Sequence, residues 1–572
     1  MTSIIQIKNL NLIKNVLLSV FFLSFFSSCF QDDDGYRGDP NSKKEVKLKD
    51  VLDALGGTAE ISALTTLNYT VNGQAFEYEE EEPNQPNPIE VREYTYELVS
   101  ELNNRKLRLD YADFNSKYPL VYSGQAAKII VNNEQGSISG QYDVASYYFG
   151  AVTPTGLYAN RIEALLKNYQ MSNPIELIKE VVSSANNLNF KTSDLKYSIP
   201  TKITGLNIEL FINNETLLPT KAIIQESDYL YGDTTFEVVY ETWAESSSIM
   251  FPSTISYNFR ENTIKTESIS NVVINASLEA DIFAVEEVAN PIPYDLELGQ
   301  KGIYFSQWYS RFFDASIAID LPLTQALVAA DAWIPFGIPD QTIGDNLKII
   351  GRPDTLYWGI AVKTSDGAIF IDPNVSPEWS RAMINATQSA QGFPNEDIVG
   401  VVATHTHVDH FGGIRELAYE SETVYINQTA KAEIEAVLSS SHTLVPDNLA
   451  LNPKNIDIIE VDGVLQLDGG AVELHAVNMN NSGNNPHSEN MILVYVPEYK
   501  AVIQADLFNA GGLLAIYAGA TLFPMDDSTK AIFKERAQFL LNYINENELD
   551  VTTIIGAHGG VATLPQLQFV AQ

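Results

Sequence analysis

Cysteine and histidine are scarce in this chain. Its 572 residues include one cysteine, Cys29, so no disulfide can close within the chain. Seven histidines are present, and none precedes position 405. The first 400 residues are therefore a poor place for metal chemistry. Basic residues are also few: 35 Lys and Arg against 73 Asp and Glu leave a net charge of −38. Such a field repels polyanions, and no local basic patch offsets it, which argues against nucleic acid as substrate or partner. The apolar run at the start, Val16 to Phe26, has 11 residues and is too short to cross a bilayer as a helix.

What the chain does have is concentrated near residue 405. The apolar run Ile398 to Ala403 reads as a buried strand. It ends in His405-Thr406-His407-Val408-Asp409-His410, and Gly412-Gly413 then opens a helix over Ile414 to Glu420. A strand, a polar loop and a helix form the arrangement in which α/β proteins hold ligands, at the carboxyl edge of a sheet. A lone histidine is usually an ordinary surface or core residue. Three of seven within six positions, with an aspartate between, are poorly explained that way. Imidazole nitrogen and carboxylate oxygen suit zinc and similar divalent ions.

One loop cannot close a shell around two ions, so further ligands are expected at later strand ends. His487 precedes the apolar strand Met491 to Val496, Asp506 follows Ala501 to Ala505, and His558 follows Val551 to Ile555 in a glycine-flanked loop. His-x-His-x-Asp-His followed by a spaced His, Asp and His resembles the metallo-β-lactamase-fold hydrolase superfamily, over residues 300–572. Ile369-Phe370-Ile371-Asp372-Pro373 resembles that family's earlier strand ending in Asp. The resemblance implies an αββα sandwich and two divalent metal ions, with zinc the best fit to the ligand set. By the same resemblance His405, His407 and His487 hold one ion, Asp409, His410 and His558 hold the other, and Asp506 bridges them. Asp372 would fix the histidine loop by hydrogen bonds. The implied enzyme is a dinuclear metal-dependent hydrolase that uses a metal-bound hydroxide on an ester, thioester, lactone or similar small-molecule bond. Asp409 would act as the catalytic residue, orienting the hydroxide and carrying a proton. The aspartate at 506 resembles the thioesterase and lactonase branches. Many β-lactamases carry Cys or Ser near that place, so a β-lactam hydrolase is an alternative of lower rank.

Lys8 and Lys14, the apolar run and Phe26-Ser27-Ser28-Cys29 resemble a bacterial lipoprotein signal, residues 1–28, with Cys29 as the lipidated residue. Residues 29–44 are polar and read as a flexible tether. The expectation is an exported protein, lipid-anchored to the outer membrane on its periplasmic face or at the cell surface. Its partners are that membrane and a small-molecule substrate. Nothing in the pattern specifies an oligomeric state.

Residues 45–287 alternate strand-like segments with turn signals, which predicts a mainly antiparallel β domain. Val46 to Leu55, Leu157 to Tyr169 and Pro174 to Ser184 carry helical spacing, and the acidic insert Glu77 to Pro88 reads as a solvated loop. The order resembles the half-barrel domains of periplasmic lipoprotein carriers. A spacer or docking domain with an ordinary core is the preferred expectation; a lipid-anchored binding protein for a hydrophobic ligand, with a non-catalytic metal site, is the alternative function. Residues 288–299, with Pro291 and Pro293, form the expected linker. Gly302 to Phe305 reads as a short strand, Trp308 to Ile343 as an aromatic-bearing irregular segment, His442 as exposed, and His475 as a packed strand residue. The chain is thus expected to be a multidomain α+β protein.

Overall fold

The structure is a computed structural model. It describes residues 46–77, 89–116, 127–140, 152–183, 190–191, 195–201, 205–288, 291–311, 343–351, 358–388, 392–477, 487–508, 527–557 and 560–572. The expected signal, Cys29, the tether, most of the acidic insert, residues 312–342 and His558 lie outside these.

Thirteen strands form one antiparallel sheet: β1 (Thr66–Glu77), β2 (Ile89–Glu101), β3 (Lys106–Ser116), β4 (Ala127–Asn132), β5 (Gln135–Gly140), β6 (Val152–Gly156), β7 (Phe190–Lys191), β8 (Lys196–Pro200), β9 (Asn207–Ile212), β10 (Pro219–Asp228), β11 (Gly232–Ser246), β12 (Ile249–Phe259) and β13 (Asn262–Ile274). The order is β6-β5-β4-β3-β2-β1-β13-β12-β11-β10-β9-β8-β7. The chain runs outward to one edge, crosses through two helices, Ala159–Ser172 and Pro174–Ser183, and returns from the other edge. First and last strands therefore pair at the middle, Val71 facing Ile269. Alternate residues such as Leu67, Tyr69 and Val71 point to one face, where they share a core with Ile162, Leu166, Ile175 and Ile178 of the two helices. The sheet thus packs its apolar face against its own crossover.

After β13 the chain forms a helix, Leu296–Tyr304, where a short strand over Gly302 to Phe305 was expected. Asp295 caps it by accepting the Leu298 N–H. A four-residue apolar run does not separate strand from buried helix. Here tertiary contact decides, because Gly302 lies directly against the backbone of Asn160.

Two six-stranded sheets follow, with orders β14-β15-β16-β17-β18-β19 and β20-β21-β22-β23-β24-β25. The first comprises β14 (Leu347–Gly351), β15 (Trp358–Lys363), β16 (Ala368–Ile371), β17 (Ile398–Val402), β18 (Thr423–Asn427) and β19 (Asp457–Val461). The second comprises β20 (Val464–Leu467), β21 (Val472–Val477), β22 (Met491–Val496), β23 (Ala501–Gln504), β24 (Thr553–Gly556) and β25 (Val561–Thr563). Strand β16 shows how the layers are specified. Ile369 and Ile371 meet Ile492, Val494 and Ile503 of the other sheet. Ala368 and Phe370 meet Trp379, Met383 and Leu417 of the outer helices Pro377–Thr387 and Ile414–Ser421. In β22, Ile492 and Val494 face inward, while Met491 and Leu493 meet Ala537 and Leu540 of the helix Asp527–Glu546. Strands covered on both faces read as continuous apolar runs. The result is helix, sheet, sheet, helix: a large antiparallel sheet domain followed by an α+β sandwich.

Candidate metal centre

Both sheets of the sandwich end at one edge, and there the polar residues converge. Asp372 follows β16, the loop 403–407 follows β17, His487 precedes β22 and Asp506 follows β23. Asp409 and His410 sit in a helical turn, Val408–Phe411. One backbone hydrogen bond joins the two sheets at this edge, Ile492 N–H to Thr404 O at 2.6 Å.

The side chains of His405, His407, His487 and Asp506 place one donor atom each within 4.8 Å of one another; Asp409, His410 and Asp506 do the same. His405 Nε2 lies 3.2 Å from His487 Nε2. Asp506 Oδ2 is 2.8 Å from His487 Nε2 and 3.2 Å from His405 Nε2. Asp506 Oδ1 faces the other way, 3.2 Å from His410 Nε2, and Asp409 Oδ2 is 3.3 Å from the same nitrogen. Asp506 therefore stands between the two groups. These are the separations expected of ligand atoms sharing an ion, since tetrahedral bonds of about 2.0–2.1 Å put neighbouring donors about 3.3 Å apart. His407 Nε2 is buried and has no hydrogen-bond partner among the described residues. A buried imidazole nitrogen aimed at other lone pairs is costly unless a cation fills the gap. The residues present fit a divalent metal.

Electrostatics divide the histidines. Burial, reinforced by the neighbouring His405 and His487, holds His407 well below the ordinary imidazole pKa. Burial first and Arg536 second push His487 down to about 3, against the pull of Asp506. Burial also opposes charge on His410, but Asp409, Asp506 and Asp372 together outweigh it and hold its pKa well up. Neutral imidazoles on one side and a carboxylate-rich pocket on the other are what a cation requires.

Residues around the cluster fix its geometry. Asp372 is fully buried and accepts from Thr404 N–H (3.1 Å) and His410 Nδ1 (2.8 Å). It sits at φ 65°, and Val375 at φ 54° donates its N–H to Asp409 O at 2.9 Å. A β-branched residue in the left-handed region is strained, so the segment 372–376 is held in place by its surroundings. Asn490 ties the first histidine loop to the strand of His487: its Oδ1 accepts from Thr406 N–H (3.2 Å) and its Nδ2 donates to Thr406 Oγ1 (2.9 Å). Asn427 donates to Met491 O at 2.9 Å. Gln504 accepts from Leu507 and Phe508 N–H at 2.8 and 2.9 Å, shaping the turn that presents Asp506. Val375, Asn427, Asn490 and Gln504 were not singled out from sequence. For Asn427 and Gln504 a signal existed: each is a polar residue closing an apolar strand.

The structure thus brings together Asp372, His405, His407, Asp409, His410, His487 and Asp506. His558 lies outside the described residues; Ala557 before it donates to Gln504 O at 3.0 Å. His475 is buried in β21 with Nδ1 3.2 Å from the Tyr543 hydroxyl, away from the cluster. His442, expected to be exposed, is buried instead, with Nε2 3.0 Å from Ser440 Oγ. It is covered by the β10–β11 turn, which no local sequence feature at 442 announces.

Residues 356–558 match the metallo-beta-lactamase superfamily and form a domain of that superfamily. A linear primary-alkylsulfatase of Pseudomonas sp is 31% identical over 88 residues, 15% of this chain, and that stretch spans 12% of the relative's length. Among solved structures, the DIM-1 metallo-beta-lactamase is 15% identical, with 40% of this chain and 92% of that chain covered and a TM-score of 0.27. The metallo-beta-lactamase from Pontibacter korlensis is 16% identical, with 42% and 97% covered and a TM-score of 0.28.

Proposed function

We propose that this protein is a hydrolase whose centre holds two divalent ions, best fitted by zinc. The observation that carries the proposal is the convergence of two donor groups on the shared Asp506, one made of His405, His407 and His487 and the other of Asp409 and His410. His558, next in the superfamily pattern, is assigned to the second group. Ions bound there would lower the pKa of a water and polarise the bond under attack. The chain's own residues do the rest. His407 and His487, held neutral by burial, offer lone pairs without needing to lose a proton, and His405 stands beside them with Nε2 3.2 Å from that of His487. His410 donates Nδ1–H to Asp372 and turns Nε2 toward Asp409 and Asp506. Asp409 Oδ2 orients the attacking water, accepts its proton and returns it to the leaving group. Burial of His405, His407, Asp409, His410 and His487 strengthens each of these interactions.

The substrate class is an ester, thioester, lactone or related small molecule, and the alkylsulfatase likeness adds sulfate esters to those worth testing. The surplus of 38 negative charges disfavours nucleic acid. No helix among the described residues is long and apolar enough to cross a membrane. We assign membrane attachment to a lipid on Cys29 after export, and we divide the chain into 45–287, a linker over 288–299, and 300–572.

The test is a screen of zinc-loaded full chain on ester, thioester, lactone, sulfate ester and β-lactam substrates, with Asp409→Asn as control. Turnover of one class that is lost in Asp409→Asn supports the proposal. Activity that survives the substitution refutes the role of Asp409. Metal binding with no turnover on any class favours the alternative, a binding protein with an inert metal site.

A further inference from the structure

The two halves of the donor cluster rest on different supports. His405 and His407 are held within the sandwich, through Thr406 to Asn490 and through Thr404 to Ile492. Asp409 and His410 rest on the turn ending at Gly412, and the floor beneath Gly412 is not made by the sandwich alone. A Cβ at Gly412 would lie 2.0 Å from Val375 O and 2.8 Å from Trp308 Cη2, so these two groups lie directly against its backbone. Trp308 is buried. It belongs to the helix Ser306–Arg311, which precedes the first strand of the sandwich.

Trp308 is in turn placed by the thirteen-stranded sheet. The Tyr229 ring meets it edge-on with centroids 4.8 Å apart, and Tyr229 stacks on Phe305 at 4.5 Å. Tyr229 begins the β10–β11 turn, whose fold is set by Asp228 Oδ1 accepting from Leu230 and Tyr231 N–H at 2.8 and 3.0 Å. The same turn is locked onto the sandwich. Asp233 Oδ1 accepts from Leu444 N–H at 2.8 Å, Tyr231 OH donates to Glu433 at 3.0 Å, and Gly232, at φ 69°, lies so close that a Cβ would be 1.9 Å from Ser441 O. The other end of the chain of contacts is fixed by Glu226 of β10. It accepts from Ser306 Oγ and from Gln307 N–H (3.2 Å) and pairs with Lys167, both ions fully buried.

We infer that Trp308 and Tyr229 are positioning residues for the Asp409–His410 half of the metal centre, so that the antiparallel sheet domain sets the second ion's site and not the first. This rests on the dinuclear reading above. A chain of packed side chains transmits a displacement because cores are close-packed and resist small shifts. Losing the aromatic contact lets the Gly412 turn relax, and with it Asp409 and His410 in the helical turn Val408–Phe411 that Gly412 closes.

The experiment is a Zn²⁺ titration of the full chain against a competing chelator, resolving two dissociation constants. Tyr229→Leu and Trp308→Leu are compared with wild type and with Leu210→Ala, a core deletion in the same sheet outside this aromatic chain. The expected result is about a tenfold weakening of one Zn²⁺, with the other unchanged. Trp308→Phe, which keeps a ring against Tyr229, restores most of the loss. If Trp308→Leu does not fold, Tyr229→Leu and Trp308→Phe carry the same comparison. Equal weakening of both ions, a matching loss in Leu210→Ala, or no change at either site overturns the inference. A wild-type chain that binds fewer than two Zn²⁺ defeats the dinuclear reading itself, and the inference falls with it.

Discussion

Replacing Asp372 by asparagine tests how the histidine loop is held. Asparagine has nearly the same shape and tolerates the left-handed backbone found here, φ 65°, so the fold is not challenged at this position. What changes is one charge. In the native chain Oδ2 faces His410 Nδ1 at 2.8 Å and Oδ1 accepts the Thr404 N–H at 3.1 Å, with the carboxylate fully buried. With a cation bound, the carboxylate would hold the ring's one proton on Nδ1 and leave the Nε2 lone pair for the ion. An amide NH₂ in the same place favours the opposite tautomer, with the proton on Nε2 where a cation should be. A hydrogen bond to a charged group contributes about 1.5–3 kcal/mol against about 1 for a neutral one. Loss of such outer partners typically weakens metal affinity by about 10–100-fold. Zinc competition with a chelator, with thermal melting as the check on folding, should show a loss in that range. Unchanged zinc affinity in a folded Asp372→Asn protein would refute the role assigned to this residue.

Two further perturbations probe the sheet domain. Glu176 is fully buried, and burial pushes its pKa up to about 8, against the stabilising contacts of Tyr169 and the Asn103 N–H. The folded state then keeps a proton that the unfolded chain releases above about pH 4.5, so stability falls as pH rises from there to about 8, by about 1.4 kcal/mol per unit. Glu176→Gln should flatten this part of the stability–pH profile in urea denaturation, with little effect at pH 4 and a gain on the order of 5 kcal/mol at pH 8 and above; a parallel profile would contradict the burial argument. Lys167→Met leaves Glu226 buried without its cation and should cost about 3–5 kcal/mol in the same assay, with Lys167→Met/Glu226→Leu recovering most of it. If the double variant is no more stable than the single, the buried pair is not the source of the loss.

Much of the donor cluster was legible because its parts are local. The run Ile398 to Ala403 is apolar on both faces, as a covered parallel strand must be, and β17 occupies Ile398–Val402. His487 and Asp506 could be placed because each borders a strand that announces itself by composition. The antiparallel strands of the first domain were legible for the same reason: Ile255, Tyr257 and Phe259 alternate, and they lie in β12. The pairing of β1 with β13 was not, since some two hundred residues separate their registers, as with Val71 and Ile269, and nothing local encodes the partner. The helix at Leu296–Tyr304 was missed because its end is a short apolar run whose burial is decided by Asn160. The supports of the metal loop escaped for a related reason. Trp308 and Val375 carry no ligand atoms, and their importance lies in touching Gly412, a contact visible only in three dimensions.

The central claim is a two-metal centre shared across Asp506. Its most direct test is the metal content of the purified full chain, measured by elemental analysis after equilibration with zinc and removal of free ion. Two equivalents per chain are expected, falling in His405→Ala and in His410→Ala separately. Less than one equivalent of tightly bound metal in the unmodified chain would contradict it.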